Sequence, residues 1–157
     1  MDEARFSILQ SEIETQIGVI ESIYKKIEER IKDMEKSESS LESSAYQLHN
    51  LYCAFEDLFR IVANFFENTI ENRRSSHIEL LRRMSISIEG IRPALLSAEA
   101  YKLLDNLRAF RHFFRHAYVY EIDSRKIKIV LEDAFRLRKI YQSLARNFLK
   151  SLKSSEK

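Results

Sequence analysis

An all-α fold, an up-and-down bundle of about five helices forming one domain over residues 1–157, is what this sequence predicts. Three observations carry that expectation. The chain holds two glycines and one proline in 157 residues, too few for hairpin-rich β folds, which need turn residues every 8–12 positions or so. Apolar residues recur at steps of three and four through every long segment, which is the period of a helix buried on one face. A chain of this length buries about 70% of the surface its unfolded form exposes. Its core therefore needs no disulfide, and with Cys53 as its one cysteine the chain can form none internally.

The first helix is expected from about Phe6 to Lys36, with Ile13, Ile17, Ile20, Tyr24, Ile27, Ile31 and Met34 as its apolar stripe. Glu and Lys fill its other face, including Glu28 and Lys32 at the i,i+4 spacing that favours ion pairing. The polar run Ser37-Glu38-Ser39-Ser40 suits a turn or an N-cap. A second helix follows from about Leu41 to Glu71, with Ala45, Leu48, Tyr52, Phe55, Phe59, Val62 and Phe66 on one stripe and Leu51, Leu58 and Phe65 on another beside it. So broad an apolar surface must be covered on two sides, one by the chain's own bundle and the other by that bundle or by a partner chain.

Asn72-Arg73-Arg74-Ser75-Ser76 reads as the next break, and a shorter helix is expected from about His77 to Glu89 with Gly90 at its C′ position. Pro93 forbids continuation nearby. Ser97 can cap a fourth helix with Glu99 in its first turn; it reaches about Ala117 and buries Leu103, Leu107, Phe110, Phe114 and Ala117. Asp123 or Ser124 can cap the last, which carries Ile127, Val130, Leu131, Ala134, Leu137, Tyr141, Leu144 and Phe148. Residues 151–157 are polar and expected to fray.

Charge is divided unevenly along the chain. Residues 1–71 carry 7 Lys/Arg against 15 Asp/Glu, and residues 72–157 carry 19 against 9. This suits a basic surface for a polyanion, or helices of the two halves pairing with each other. No apolar run approaches the 18 or so residues of a membrane span. The start, Met1-Asp2-Glu3-Ala4-Arg5, lacks a signal peptide's apolar core. A reducing cytoplasm without membrane attachment is the expected setting. Cys53, among Leu51, Tyr52, Ala54 and Phe55, reads as a small buried apolar residue with no base beside it. His49 and His77 read as structural or exposed.

Chemistry concentrates late in the fourth helix. On a helical wheel Arg108, Arg111, His112 and Arg115 lie opposite the apolar set, within about 100° of one another. Such a ridge is a solvated face or a phosphate-binding one. Arginine favours the second, because its fork meets phosphate bidentately, and histidine adds a side chain able to move protons near neutral pH. Arg111 and His116 stand about 140° apart on a regular helix; they converge only if the helix ends or kinks near His116, or if a second chain completes the site. Tyr118, seven residues beyond Arg111, shares its face. His112 and His116 have the i,i+4 spacing of metal ligands, but only Glu121 and Asp123 offer a third ligand, so no metal site is expected. No Ser or Cys nucleophile and no phosphate-cradling glycine loop is present, and no cofactor is implied.

The run Arg111-His112-Phe113-Phe114-Arg115-His116-Ala117-Tyr118 resembles the R-x4-H-x-Y motif of HepT-type toxins in the HEPN superfamily. Arg111, His116 and Tyr118 match it at every specified position, and Arg92-Pro93 is also similar to HepT-like chains. The resemblance covers most of the chain loosely and residues 92–123 closely. His112 departs from it, standing where many members carry Asn or Asp. The resemblance implies a homodimeric, metal-independent ribonuclease toxin in which His116 moves a proton and Arg111 holds the phosphate. Arg108, His112 and Arg115 would support them. It further implies an MNT-type nucleotidyltransferase antitoxin that attaches AMP to the motif tyrosine, here Tyr118. Two alternatives stand beside it: a non-catalytic HEPN-type dimer that binds a nucleotidyltransferase or a nucleotide, and a structural adaptor bundle.

Overall fold

The computed structural model describes residues 1–67, 76–117 and 121–154. Among them are six helices: α1 (Glu3–Ile31), α2 (Glu38–Phe66), α3 (Ser76–Met84), α4 (Ala98–Arg115), α5 (Ser124–Arg138) and α6 (Tyr141–Ser154). The all-α expectation holds. Some of the expected boundaries move: the last expected helix breaks at Lys139 and Ile140 into α5 and α6, and α1 stops at Ile31. After α1 the chain tightens into i→i+3 bonds, with Met34 N–H donating to the Ile31 carbonyl, and this turn puts Met34 into the core.

Side chains cap the helices where expected. Ser37 Oγ accepts the Ser40 N–H at 3.1 Å, Ser97 Oγ accepts that of Ala100 at 3.2 Å, and Asp123 accepts that of Arg125 at 2.9 Å. Each satisfies one of the orphan donors that begin a helix.

Helix α2 is the centre of the bundle, packing on α1, α3, α4 and α5. Leu48, Tyr52, Phe55, Phe59 and Val62 of one stripe and Leu51 and Leu58 of the other are all buried by the chain itself. The broad apolar surface of α2 therefore does not call for a partner chain, and that argument for a dimer falls away. Pairing between the acidic and basic halves accounts for part of the charge asymmetry. Arg138 of α5 bonds Glu21 and Glu28 of α1, and Lys128 reaches Glu35. Tyr141 donates to Glu21 at 2.6 Å, and buried Tyr24 donates to the Ala134 carbonyl at 2.7 Å.

The third helix ends earlier than expected, at Met84. Gly90 is not its C′ residue: it has φ +75° in the turn between Ile88 and Arg92, which pair as an isolated antiparallel bridge. The helix stops because its last carbonyls find other donors. Arg92 donates to the Arg83 carbonyl at 3.0 Å, and the N–H groups of Leu95 and Leu96 both donate to that of Met84. At the other end of the chain, the expectation that residues from 151 fray is corrected for 151–154. Helix α6 runs through Ser154 because Leu152, four residues past buried Phe148, is itself buried. Residues 155–157 lie outside the described residues, as does the break at 72–75.

Candidate functional site

Helix α4 buries Ala100, Leu103, Leu104, Leu107 and Phe110, which fixes the angle at which its other residues emerge. Its C-terminus is sharp. Arg115 is the last helical residue, and His116 leaves with φ −110° and ψ 10° while its N–H still donates to the Phe113 carbonyl at 3.1 Å. Around this end stand Arg111, His112, Arg115 and His116, where the partial negative charge of the helix terminus favours cations.

The five site residues that the structure describes go to different places. Arg111 is half-buried and turns toward α2, its Nε donating to Cys53 Sγ at 3.4 Å. Arg108 is held by Asp105, Nε to Oδ1 at 2.8 Å. Arg115 is exposed, and among the described residues it makes no ion pair. His112 and His116 are both exposed, and their rings meet edge-on with centroids 4.8 Å apart. The helix does end near His116, as convergence required, yet the turn carries His116 onto His112. No hydrogen bond joins Arg111 to His116 among the described residues. Tyr118, the expected modification site, lies outside the described residues.

Helix α2 contributes residues that the sequence reading did not assign to the site. Cys53 is only half-buried, and it is not simply an apolar filler. Its sulfur accepts from Arg111 and lies 3.8 Å from His49 Nδ1. With the sulfur's acceptor side facing Arg111, its hydrogen is free for Nδ1, an arrangement that puts the imidazole proton on Nε2. Burial pushes the His49 pKa below the usual histidine value, and the charges of Arg111 and Arg115 push it further. His49 is therefore predominantly neutral at pH 7. A signal for this cluster existed in the sequence: Tyr46, His49 and Cys53 recur at steps of three and four on one face of α2. What no sequence pattern supplied was that this face meets Arg111. The fourth histidine, His77, does something else: it bonds buried Glu56, Nδ1 to Oε2 at 2.7 Å, and Glu56 also takes Arg60 at 3.1 Å.

The arrangement offers two guanidinium groups for an anion, a neutral imidazole beside them and two solvent-facing imidazoles at the helix end. Among the described residues no group of three or more His, Cys, Asp or Glu side chains is placed to hold a metal ion, and no helix is long and apolar enough to cross a membrane.

The fold is an all-α bundle with an Arg/His cluster at the end of its fourth helix. Comparison with protein families matches residues 43–152 to the family described as HepT-like protein. The chain belongs to that family, and hence to the HepT-type branch of the HEPN superfamily. No curated protein and no solved structure matches it.

Proposed function

We propose that the chain is the ribonuclease toxin of a toxin–antitoxin pair, cutting RNA at the C-terminal end of α4. The observation that carries this reading is the position of the Arg111/His116/Tyr118 motif. Arg111 and His116 stand at the C-terminal end of α4, and all three positions lie inside the sequence segment that matches the HepT-like family. RNA brings its own nucleophile, the 2′-OH next to each phosphate. In the proposed step a base takes the 2′-OH proton, O2′ bonds to phosphorus and the bond from phosphorus to O5′ breaks. A proton then passes to the leaving O5′. The products are a 2′,3′-cyclic phosphate and a 5′-hydroxyl, with no bond made to the protein and no metal needed.

His116 fits the proton-transfer role because it is an imidazole exposed to solvent at the helix end, where substrate can reach it. Arg111 holds the non-bridging oxygens, where charge builds as the transition state forms. Arg115 widens the cationic surface, His112 adds a second exposed imidazole beside it, and Arg108 is held to Asp105. Since Arg111 and His116 do not touch within the chain, a homodimer that sets one chain's Arg111 against the partner chain's motif completes the site. Regulation falls to a nucleotidyltransferase of the MNT type. The Tyr118 hydroxyl attacks the α-phosphorus of ATP, pyrophosphate leaves, the hydroxyl proton goes to solvent, and the attached AMP occupies the arginine surface.

The separation of Arg111 from His116 also favours a second reading, a HEPN-type dimer that binds a nucleotidyltransferase or nucleotide and cleaves nothing. Expression of the chain alone separates the two. The toxin reading expects growth arrest that His116→Ala relieves; arrest of equal strength with His116→Ala, or none with either chain, favours the second.

A further inference from the structure

Tyr46 stands on α2 one turn before His49, with 52% of its surface exposed. It is not an isolated surface aromatic. Its ring centroid lies 6.4 Å from that of His49 and 6.5 Å from that of Phe114, and His49 and Phe114 are 5.3 Å apart. Behind Phe114 the series continues to Phe110 at 6.1 Å, which is buried. Three rings from two helices are thus anchored in the core at one end and open to solvent at the other. The same His49 is linked through Cys53 to Arg111, so the rings and the guanidinium form one connected unit.

We propose that Tyr46, His49 and Phe114 form a stacking platform for an unpaired RNA base, whose neighbouring phosphate is held by Arg111 and Arg115. This rests on the ribonuclease reading and specifies its substrate as single-stranded RNA. The physical grounds are general. A base within a duplex has both faces covered, whereas an unpaired base exposes a flat apolar face that aromatic side chains cover, while arginine takes the phosphate. Every base has such a face, so the platform selects unpaired over paired RNA and discriminates little among bases. A neutral His49 stacks without the cost of covering a charged ring. A second copy of the chain is the competing occupant. Arg111, bonded to Cys53 beside the rings, and exposed Arg115 favour an anionic occupant at this patch, and sedimentation of Tyr46→Ala detects a subunit contact there.

The test uses a short single-stranded oligonucleotide containing 2-aminopurine, with every ribose 2′-O-methylated so that it cannot be cut. The wild-type chain is expected to quench its fluorescence on binding, and a hairpin holding the same base in its stem to show no quenching. Tyr46→Ala is expected to weaken binding roughly 5- to 150-fold, the range for loss of one stacked base, and Tyr46→Trp to retain it. Sedimentation of Tyr46→Ala should match the wild type. Equal affinity of Tyr46→Ala and wild type, absence of quenching with the wild type, or a change of oligomeric state in Tyr46→Ala overturns the platform, the last by making the patch a subunit contact. Failure of the ribonuclease reading looks different: quenching that depends on Tyr46 in a chain that cuts no RNA removes the activity and leaves the platform standing.

Discussion

Replacing Arg92 by Met should destabilise the protein by about 3 kcal/mol. The Arg92 side chain is fully buried and that of Glu67 nearly so. Its Nε donates to Glu67 Oε1 at 2.9 Å and a second guanidinium nitrogen donates to the same oxygen. Further bonds reach the carbonyls of Ile86 at 3.0 Å, Pro93 at 3.2 Å and Arg83 at 3.0 Å. Methionine keeps the apolar stem and removes every one of these donors. Breaking one partner of a buried ion pair costs about 3–5 kcal/mol. The low end applies because Arg83, one-third exposed, still reaches Glu67 at 3.0 Å. For a chain of this size about 3 kcal/mol lowers Tm by roughly 6–12 °C. Urea unfolding followed by far-UV circular dichroism measures the loss. The double variant Arg92→Met/Glu67→Gln should be more stable than Arg92→Met alone, because it removes the buried negative charge that Arg92 balanced. A loss below about 1 kcal/mol for Arg92→Met, or strict additivity in the double variant, refutes this reading of Arg92 and Glu67 as a coupled buried pair.

Four further outcomes follow from the site. His116→Ala should lower RNA cleavage by about 100- to 10,000-fold, the usual worth of a general acid or base, without changing the urea midpoint, since the ring is exposed; a comparable drop in stability would assign it a structural role. Arg111→Lys should weaken RNA binding and cleavage although charge is kept, because an ammonium cannot reproduce the guanidinium's fork or its Nε bond to Cys53; unchanged kinetics would count against it. The His49 pKa is lowered in the fold, so below about pH 6.5 the unfolded chain takes up protons more readily than the folded one. The stability His49 contributes is therefore complete above about pH 6.5 and is lost as pH falls through its lower folded value; urea midpoints at pH 7 and pH 5 should differ less in His49→Gln than in the wild type. Tyr118→Phe should leave cleavage largely intact and make the chain insensitive to a nucleotidyltransferase partner, with mass spectrometry after co-expression locating the adenylate on Tyr118 in the wild type and on no residue in the variant.

Helix periodicity and cap chemistry made much of the bundle legible. Ser37, Ser97 and Asp123 each cap the helix expected of them, because a side-chain acceptor before an apolar-periodic run is a local signal. What failed to read was tertiary. Gly90 looked like a helix terminus, yet α3 ends at Met84 because Arg92 and the Leu95 and Leu96 amides, several residues downstream, take the last carbonyls. The two apolar stripes of α2 promised a partner chain, yet four helices of the same chain cover them, a fact that depends on how the bundle closes. At the site, the wheel placed Arg111 on a ridge opposite the apolar set, whereas its guanidinium turns toward α2 and finds Cys53. Cys53 and His49 were passed over for the same reason: their role depends on which helix faces them, and a single sequence gives each helix a face without naming its neighbour.

Incubating the purified protein with RNA in EDTA and identifying the new ends tests the central claim most directly. Cleavage by the 2′-OH, with His116 moving the proton and Arg111 holding the phosphate, predicts fragments that carry 2′,3′-cyclic phosphates and 5′-hydroxyls at undiminished rate in the chelator, and loss of those fragments in Arg111→Ala and His116→Ala. Cleavage that vanishes in EDTA and returns with a divalent ion, or ends bearing a 5′-phosphate, would contradict it.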